Sequence, residues 1–128
     1  SSGAHLGMLG ILRGELAVDR FVGISGVYDI PRHYAFERAR GVERFSPMSP
    51  ACGGSLTGWK RTSPTRYSKA TDVSSLPPVL ILHGEKDTTV PYTSSIRLVR
   101  SLHQALARRE NESLVSVDII PGVQHAET

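Results

Sequence analysis

The 128-residue sequence has little cysteine, few aromatic residues and no long apolar run. Cys52 is the single cysteine, so an intrachain disulfide is excluded. The longest uninterrupted apolar run is 79–82, far below the roughly 18 residues that a transmembrane helix needs. Nothing in the sequence therefore predicts a membrane span or a disulfide scaffold.

The formal net charge of +3 comes from basic residues spread along the chain. They are not interleaved with aromatic residues, as a nucleic-acid platform would require. We therefore predict no nucleic-acid partner and interpret the charge as a solvated basic surface. Weak attraction to an acidic membrane face is the alternative, and association with a membrane is expected only through parts of a longer protein.

Periodicity predicts alternating helices and strands. An apolar helix over residues 2–13, expected in the interior, precedes a short buried strand over 20–25. The run 79–82 is typical of a central parallel strand covered on both faces, and the alternation in 114–120 favours a strand near a sheet edge. Residues 92–109 give the clearest amphipathic helix. This order predicts an α/β domain with a mostly parallel sheet and flanking helices.

Residues 27–78 show no strand pattern and are rich in glycine and proline. We predict a lid-like or cap-like insertion with one short helix, from about Asp29 to Ala39, followed by loops. Four of its aromatic side chains are candidates for lining a substrate pocket, although ordinary packing within the insertion explains them equally well: Tyr28, Tyr34, Phe36 and Trp59.

The first residues match half of a nucleophile elbow. In the pattern G-x-S-x-G, a serine lies on a sharp turn between a strand and a helix. Ser1 and Gly3 supply the second half, with the first glycine expected before residue 1. We therefore expect the chain to begin inside the motif, with Ser1 as nucleophile.

Asp87 and His125 each lie in a loop that follows a predicted strand. The carboxyl ends of parallel strands meet at one edge of a sheet, where sites form. A serine needs a base to become nucleophilic, and a carboxylate orients the histidine that serves as that base. The order of Ser1, Asp87 and His125 thus predicts a catalytic triad, with the backbone N–H of Ser2 as one oxyanion donor.

Rival residues fit the pattern less well. If Ser2 were the nucleophile, Ala4 would take the place of the glycine that the motif requires. A mechanism that uses an N-terminal nucleophile would not need the loops that carry Asp87 and His125. Glu85 is expected to point elsewhere in its turn, and Asp72 precedes a strand. His33 and His103 are predicted on helix surfaces, His5 in packing beneath the elbow, and His83 in shaping the turn toward Asp87. No pair of residues has metal-ligand spacing, and no cofactor is predicted.

Three segments resemble the C-terminal half of an α/β-hydrolase. They are Ser-Ser-Gly-Ala-His-Leu at 1–6, Leu-Pro-Pro-Val-Leu-Ile-Leu-His-Gly-Glu-Lys-Asp-Thr-Thr-Val-Pro at 76–91, and Gly-Val-Gln-His at 122–125. The chain is similar to carboxylesterases that include hormone-sensitive-lipase-like enzymes, kynurenine formamidases and prenylcysteine methylesterases. The segments 25–30, 40–43 and 46–47 look like the prenylcysteine methylesterase-like branch.

The resemblance implies a serine hydrolase that cleaves small-molecule carboxylic esters through an acyl-enzyme. It places Ser1, Asp87 and His125 as nucleophile, acid and base. Two alternatives stay open, namely an amidase of the kynurenine formamidase type and a non-catalytic binding module with a hydrolase fold. Residues 1–128 are expected to be a partial domain truncated at both ends, inactive and poorly stable alone, with no obligate protein partner evident.

Overall fold

Three parallel strands form the sheet at the centre of the computed structural model, which describes residues 1–67, 73, 76–107 and 114–127. The strands are β1 (Phe21–Ile24), β2 (Val79–Gly84) and β3 (Val115–Ile120), in the order β1-β2-β3. β2 pairs in parallel with both neighbours, from Val79↔Val115 to Gly84↔Ile120 on the β3 side. The predicted central position of β2 and edge position of β3 are confirmed, and the carboxyl ends of β2 and β3 lie side by side.

The two long helices pack on one face of this sheet. α1 (Ser2–Leu12) and α6 (Thr93–Ala107) contribute to one apolar core with Val79 and Ile81 of β2. In α6 the predicted stripe is buried through Leu98, Val99, Leu102 and Leu106. Residues 108 and 109 of the predicted helix lie outside the described residues.

The opposite face of the sheet is exposed in the described part of the chain. Val22 is 54% exposed, and its partner in the next strand, Leu80, is 37% exposed. Side chains alternate between faces along a strand, so the residues on the α1 and α6 side are buried and their neighbours are not. The predictions that β2 is covered on both faces and β1 is buried were therefore wrong. The interior placement of α1 was also wrong in part, since Leu6 is 64% exposed.

The segment between β1 and β2 is more helical than predicted. The expected helix is present as α2 (Ile30–Ala39), where Asp29 accepts a capping hydrogen bond from the backbone N–H of Arg32 at 3.2 Å. In the described part of this segment, a 3₁₀ helix (Glu43–Phe45) and three short α-helices follow it: α3 (Met48–Ala51), α4 (Leu56–Arg61) and α5 (Pro64–Tyr67). The loop prediction was wrong here because helices this short leave no periodic pattern to read. A lid-like role for the insertion stays a prediction.

Tyr28 lies in the main core and is fully buried. Its ring occupies space that Gly23 and Gly26 leave open, since a Cβ at either position would overlap it. Burial raises the pKa of the Tyr28 phenol. The Tyr28 hydroxyl has no hydrogen-bond partner among the described residues. Among those residues, too, no helix is long and apolar enough to cross a membrane.

We expect Tyr28→Phe to leave the free energy of unfolding unchanged or to raise it, because a buried hydroxyl without a partner costs about 1–3 kcal/mol. Tyr28→Ala should lower it by about 3–5 kcal/mol, since it leaves a cavity in the core. Urea unfolding of both variants checks this pair. A loss with Tyr28→Phe as large as with Tyr28→Ala would contradict the assignment of the hydroxyl as unpartnered.

Candidate active site

The loop after β2 holds the carboxylate of Asp87 in a fully buried position. Oδ1 of Asp87 accepts hydrogen bonds from the backbone N–H of Thr89 at 2.9 Å and of Val90 at 2.8 Å. An aspartate that bonds to the backbone two and three residues ahead closes its own turn. The side chain is therefore fixed by the loop that carries it.

The second oxygen of Asp87 faces two imidazoles. Oδ2 lies 2.7 Å from Nδ1 of His125 and 3.2 Å from Nε2 of His83. His125 begins a short 3₁₀ helix (His125–Glu127) beyond β3, and its side chain is 27% exposed. Because a carboxylate only accepts hydrogen bonds, Nδ1 of His125 carries a proton, and in the neutral ring Nε2 keeps a lone pair. This is the state that a general base needs.

His83 lies at the end of β2, fully buried beneath the same carboxylate. Its Nε2 is 2.8 Å from the carbonyl oxygen of Val90, and its Nδ1 is 2.6 Å from Oγ of Ser95. The carbonyl can only accept, so Nε2 donates, and Nδ1 of the neutral ring accepts from the Ser95 hydroxyl. The prediction that His83 shapes the turn toward Asp87 is confirmed. Ser95, which completes this chain of bonds from α6, was not predicted.

Glu85 joins the loop after β2 to the loop after β3. Its carboxylate accepts from the backbone N–H of Gly122 at 2.9 Å, and its own N–H donates to Ile120. The N–H of Lys86 donates to the carbonyl of Val123. Glu85 thus points away from His125, as predicted. The other rival acid, Asp72, lies outside the described residues.

Ser1 and Ser2 lie at the N-terminus of α1, and both are exposed. The Ser1 side chain makes no capping hydrogen bond, and within the described residues no hydrogen bond joins it to His125. The backbone N–H of Ser2 is in the first helical turn, where such groups have no partner inside the helix. The structure brings Asp87 and His125 together, while the roles of Ser1 and Ser2 stay predictions.

The four aromatic residues proposed for a substrate pocket do not form one group. Tyr28 belongs to the core, so its assignment to the pocket was wrong. The ring centres of Tyr34 and Trp59 lie 4.6 Å apart between α2 and α4. These two side chains therefore fit the alternative of ordinary packing within the insertion. Phe36 does line a cavity of about 210 Å³, together with Pro91.

Arg40, the residue that follows α2 as its C-cap, contacts the loop of Asp87, and sequence reasoning did not assign it to the site. Nη1 of Arg40 donates to the carbonyl of Thr88 at 2.6 Å. His33 is largely buried, with Nε2 3.6 Å from Oε1 of Glu37, so its predicted surface position was wrong. Burial lowers the pKa of His33 and Arg40 adds to this, while the carboxylates of Glu37 and Asp87 oppose it. These contacts depend on tertiary packing and leave no signal in the sequence.

The remaining histidines have structural partners. Nε2 of His5, buried in α1, lies 2.6 Å from the carbonyl of Thr62, which confirms its packing role. Nε2 of His103 lies 2.7 Å from the carbonyl of Val115, so this side chain joins α6 to β3. Within the described residues, no group of three or more His, Cys, Asp or Glu side chains is arranged to hold a metal ion.

The model of the prolyl oligopeptidase family matches residues 23–127, which include the loops of Asp87 and His125. The chain belongs to this family. The comparison with curated proteins finds no match.

Solved structures with the same fold include peptidases and esterases. An acylaminoacyl peptidase in complex with Z-Gly-Gly-Phe-chloromethyl ketone has a TM-score of 0.72 and 17% identity, over 96% of this chain and 18% of its own. A puromycin-hydrolyzing peptidase of Mycobacterium tuberculosis has a TM-score of 0.66 and 22% identity, and the match covers 98% of this chain and 18% of the peptidase. A truncated carbohydrate esterase from gut microbiota has a TM-score of 0.66 and 21% identity, and the match covers 99% of this chain and 50% of the esterase.

These likenesses confirm the predicted fold, part of an α/β-hydrolase. The chain spans only about a fifth to a half of the length of the three solved structures. Assignment to the branch of prenylcysteine methylesterases, hormone-sensitive-lipase-like enzymes and kynurenine formamidases stays a prediction.

The pKa shift of His33 predicts a loss of stability in acid. The unfolded chain binds a proton at His33 near the ordinary pKa of 6.5, whereas the folded chain binds it only at lower pH. The unfolded state therefore holds more protons below this value, and the free energy of unfolding falls as the pH drops through it. In His33→Gln the loss between about pH 8 and about pH 5 should be smaller than in the wild type.

Urea unfolding of both proteins across this range measures the effect. At about pH 8, His33 is neutral in both states, so the difference between the proteins there reports packing alone. A loss in His33→Gln equal to or larger than that of the wild type would contradict the prediction.

Proposed function

We propose that the protein is a serine hydrolase in which Ser1 is the nucleophile, His125 the base and Asp87 the residue that orients His125. The observation that carries this proposal is the 2.7 Å contact between Oδ2 of Asp87 and Nδ1 of His125. It lies where the parallel strands β2 and β3 end, the position at which α/β sheets form their sites. Membership in the prolyl oligopeptidase family supports the same chemistry.

The first half of the reaction forms an acyl-enzyme. Oγ of Ser1 attacks the carbonyl carbon of the substrate while Nε2 of His125 takes the hydroxyl proton. The resulting imidazolium is stabilised by Asp87, which stays ionised. As the tetrahedral intermediate collapses, His125 returns that proton to the leaving group, and the acyl group remains on Ser1.

Water completes the second half. His125 takes a proton from a water molecule, whose oxygen attacks the acyl carbon, and the proton then passes to Oγ of Ser1 as the acid is released. In both halves the carbonyl oxygen becomes negatively charged. The backbone N–H of Ser2, in the first turn of α1, is the proposed donor to this oxygen.

We propose carboxylic esters as the substrate class. Peptide or amide bonds are the second candidate, favoured by the family description and by the two peptidases among the similar folds. An amidase of the kynurenine formamidase type belongs to this second group. The two classes differ in the leaving group that His125 must protonate, so kcat/KM for ester and anilide substrates with the same acyl group separates them.

A non-catalytic binding module is the competing class, since hydrolase folds can serve without chemistry. The buried and hydrogen-bonded Asp87 argues against it. A carboxylate that is fully buried and bonded to His125 is costly to bury, and a module that only binds has no use for the base it orients.

We predict that Ser1→Ala abolishes covalent labelling of the full-length protein by a fluorophosphonate probe, because the probe reacts with the activated serine. Labelling is measured by gel fluorescence, and Ser116→Ala, an exposed serine on β3, is the matched control that should label as the wild type does. Labelling that survives in Ser1→Ala and disappears in Ser2→Ala would overturn the assignment of Ser1.

In the same protein, Asp87→Asn and His125→Ala should each lower kcat for an ester substrate by about 10³- to 10⁴-fold while the fold is retained. Glu85→Gln should leave turnover near the wild-type value, because its amide oxygen can still accept the hydrogen bond from the N–H of Gly122. Near-normal turnover in Asp87→Asn would refute the triad.

A further inference from the structure

A groove lined by four arginines lies where α2, α5 and α6 meet, away from the contact of Asp87 with His125. Its volume is about 380 Å³, within the usual range for small-molecule sites. The guanidinium groups come from three helices, with Arg32 on α2, Arg66 on α5, and Arg97 and Arg100 on α6.

A single carboxylate opposes these four positive charges among the described residues that line the groove. Asp29 accepts from the N–H of Arg32, lies 3.4 Å from Nη2 of Arg66 and lies 3.8 Å from Nε of Arg32. Its negative charge is thus shared between these two arginines. Four guanidinium groups against one carboxylate leave three positive charges in excess, as many as the formal net charge of the whole chain.

The arginines are arranged as donors. Arg97 and Arg100 are three residues apart on one face of α6, where like charges repel each other. Nε of Arg66 is buried and has no hydrogen-bond partner among the described residues. Guanidinium groups bind the oxygens of phosphate and carboxylate groups through paired N–H donors. An anion in the groove would relieve the repulsion and supply acceptors.

A second cavity adjoins the groove and differs in character. It has a volume of about 210 Å³ and shares Asp29, Arg32 and Arg97 with the groove. Its other side includes Phe36 and Pro91, which offer apolar contact. A ligand that bridges both spaces would place an anionic group among the arginines and an apolar group against Phe36.

We propose that this groove binds a small phosphomonoester. The phosphoryl group is a dianion at neutral pH with three acceptor oxygens, so several guanidinium groups can bind it at once. A single carboxylate carries one charge and two oxygens, and it would leave more of the excess charge uncompensated. The organic group of the ester then lies in the adjoining cavity. Neither space is lined by Asp87 or His125, and the adjoining cavity is the one lined by Phe36, a candidate for the substrate pocket.

Isothermal titration calorimetry of the full-length protein with phenyl phosphate, at fixed ionic strength, tests the site. We expect saturable binding at one site, with inorganic phosphate binding more weakly because it lacks the apolar group. The double variant Arg97→Gln/Arg100→Gln should weaken phenyl phosphate by about tenfold or more, since it removes hydrogen bonds to a charged group.

The matched control is Arg38→Gln/Arg44→Gln, which removes two exposed arginines that do not line the groove. It changes the net charge equally and should leave the affinity unchanged. Three results would each overturn the proposal: no saturable binding of phenyl phosphate, an equal loss in the control variant, or inorganic phosphate binding as tightly as phenyl phosphate.

Discussion

Three hydrogen-bond donors converge on the buried carboxylate of Asp87, and the geometry of the site follows from this requirement. A buried carboxylate without partners would cost several kcal/mol, so its surroundings must supply donors to both oxygens. The loop itself supplies the N–H groups of Thr89 and Val90 to Oδ1, and Nδ1 of His125 donates to Oδ2. His125 is the one donor in this set that comes from beyond β3, so the same bond that satisfies the carboxylate also places the proposed base.

The surrounding fold keeps Asp87 and His125 in position. Parallel pairing of β2 with β3 brings the loops after the two strands side by side, and the contact of Glu85 with Gly122 joins them. From the other direction, Arg40 at the C-terminal end of α2 donates a hydrogen bond to the carbonyl of Thr88 in the loop. The segment between β1 and β2 therefore contributes to the position of Asp87, although the sequence predicted it only as a lid.

The parts that were predictable from sequence share a physical basis. α6 carries a long helical repeat, β3 an alternating pattern and β2 an uninterrupted apolar run, and Asp87 and His125 lie just beyond strands, where parallel sheets collect functional groups. The short helices between Met48 and Tyr67 were not predictable, since four to six residues make too little of a repeat. The burial of Tyr28 depends on the space left by Gly23 and Gly26, which only the folded chain shows. The position of Ser1 as nucleophile still rests on the sequence motif.

Asp87 fixes the tautomer of His125, and nitrogen NMR of the full-length protein with labelled histidines measures that tautomer directly. We expect neutral His125 to carry its proton on Nδ1, His83 to carry its proton on Nε2, and Asp87→Asn to remove the preference at His125. A proton on Nε2 of neutral His125, or a tautomer unchanged in Asp87→Asn, would contradict this role of Asp87.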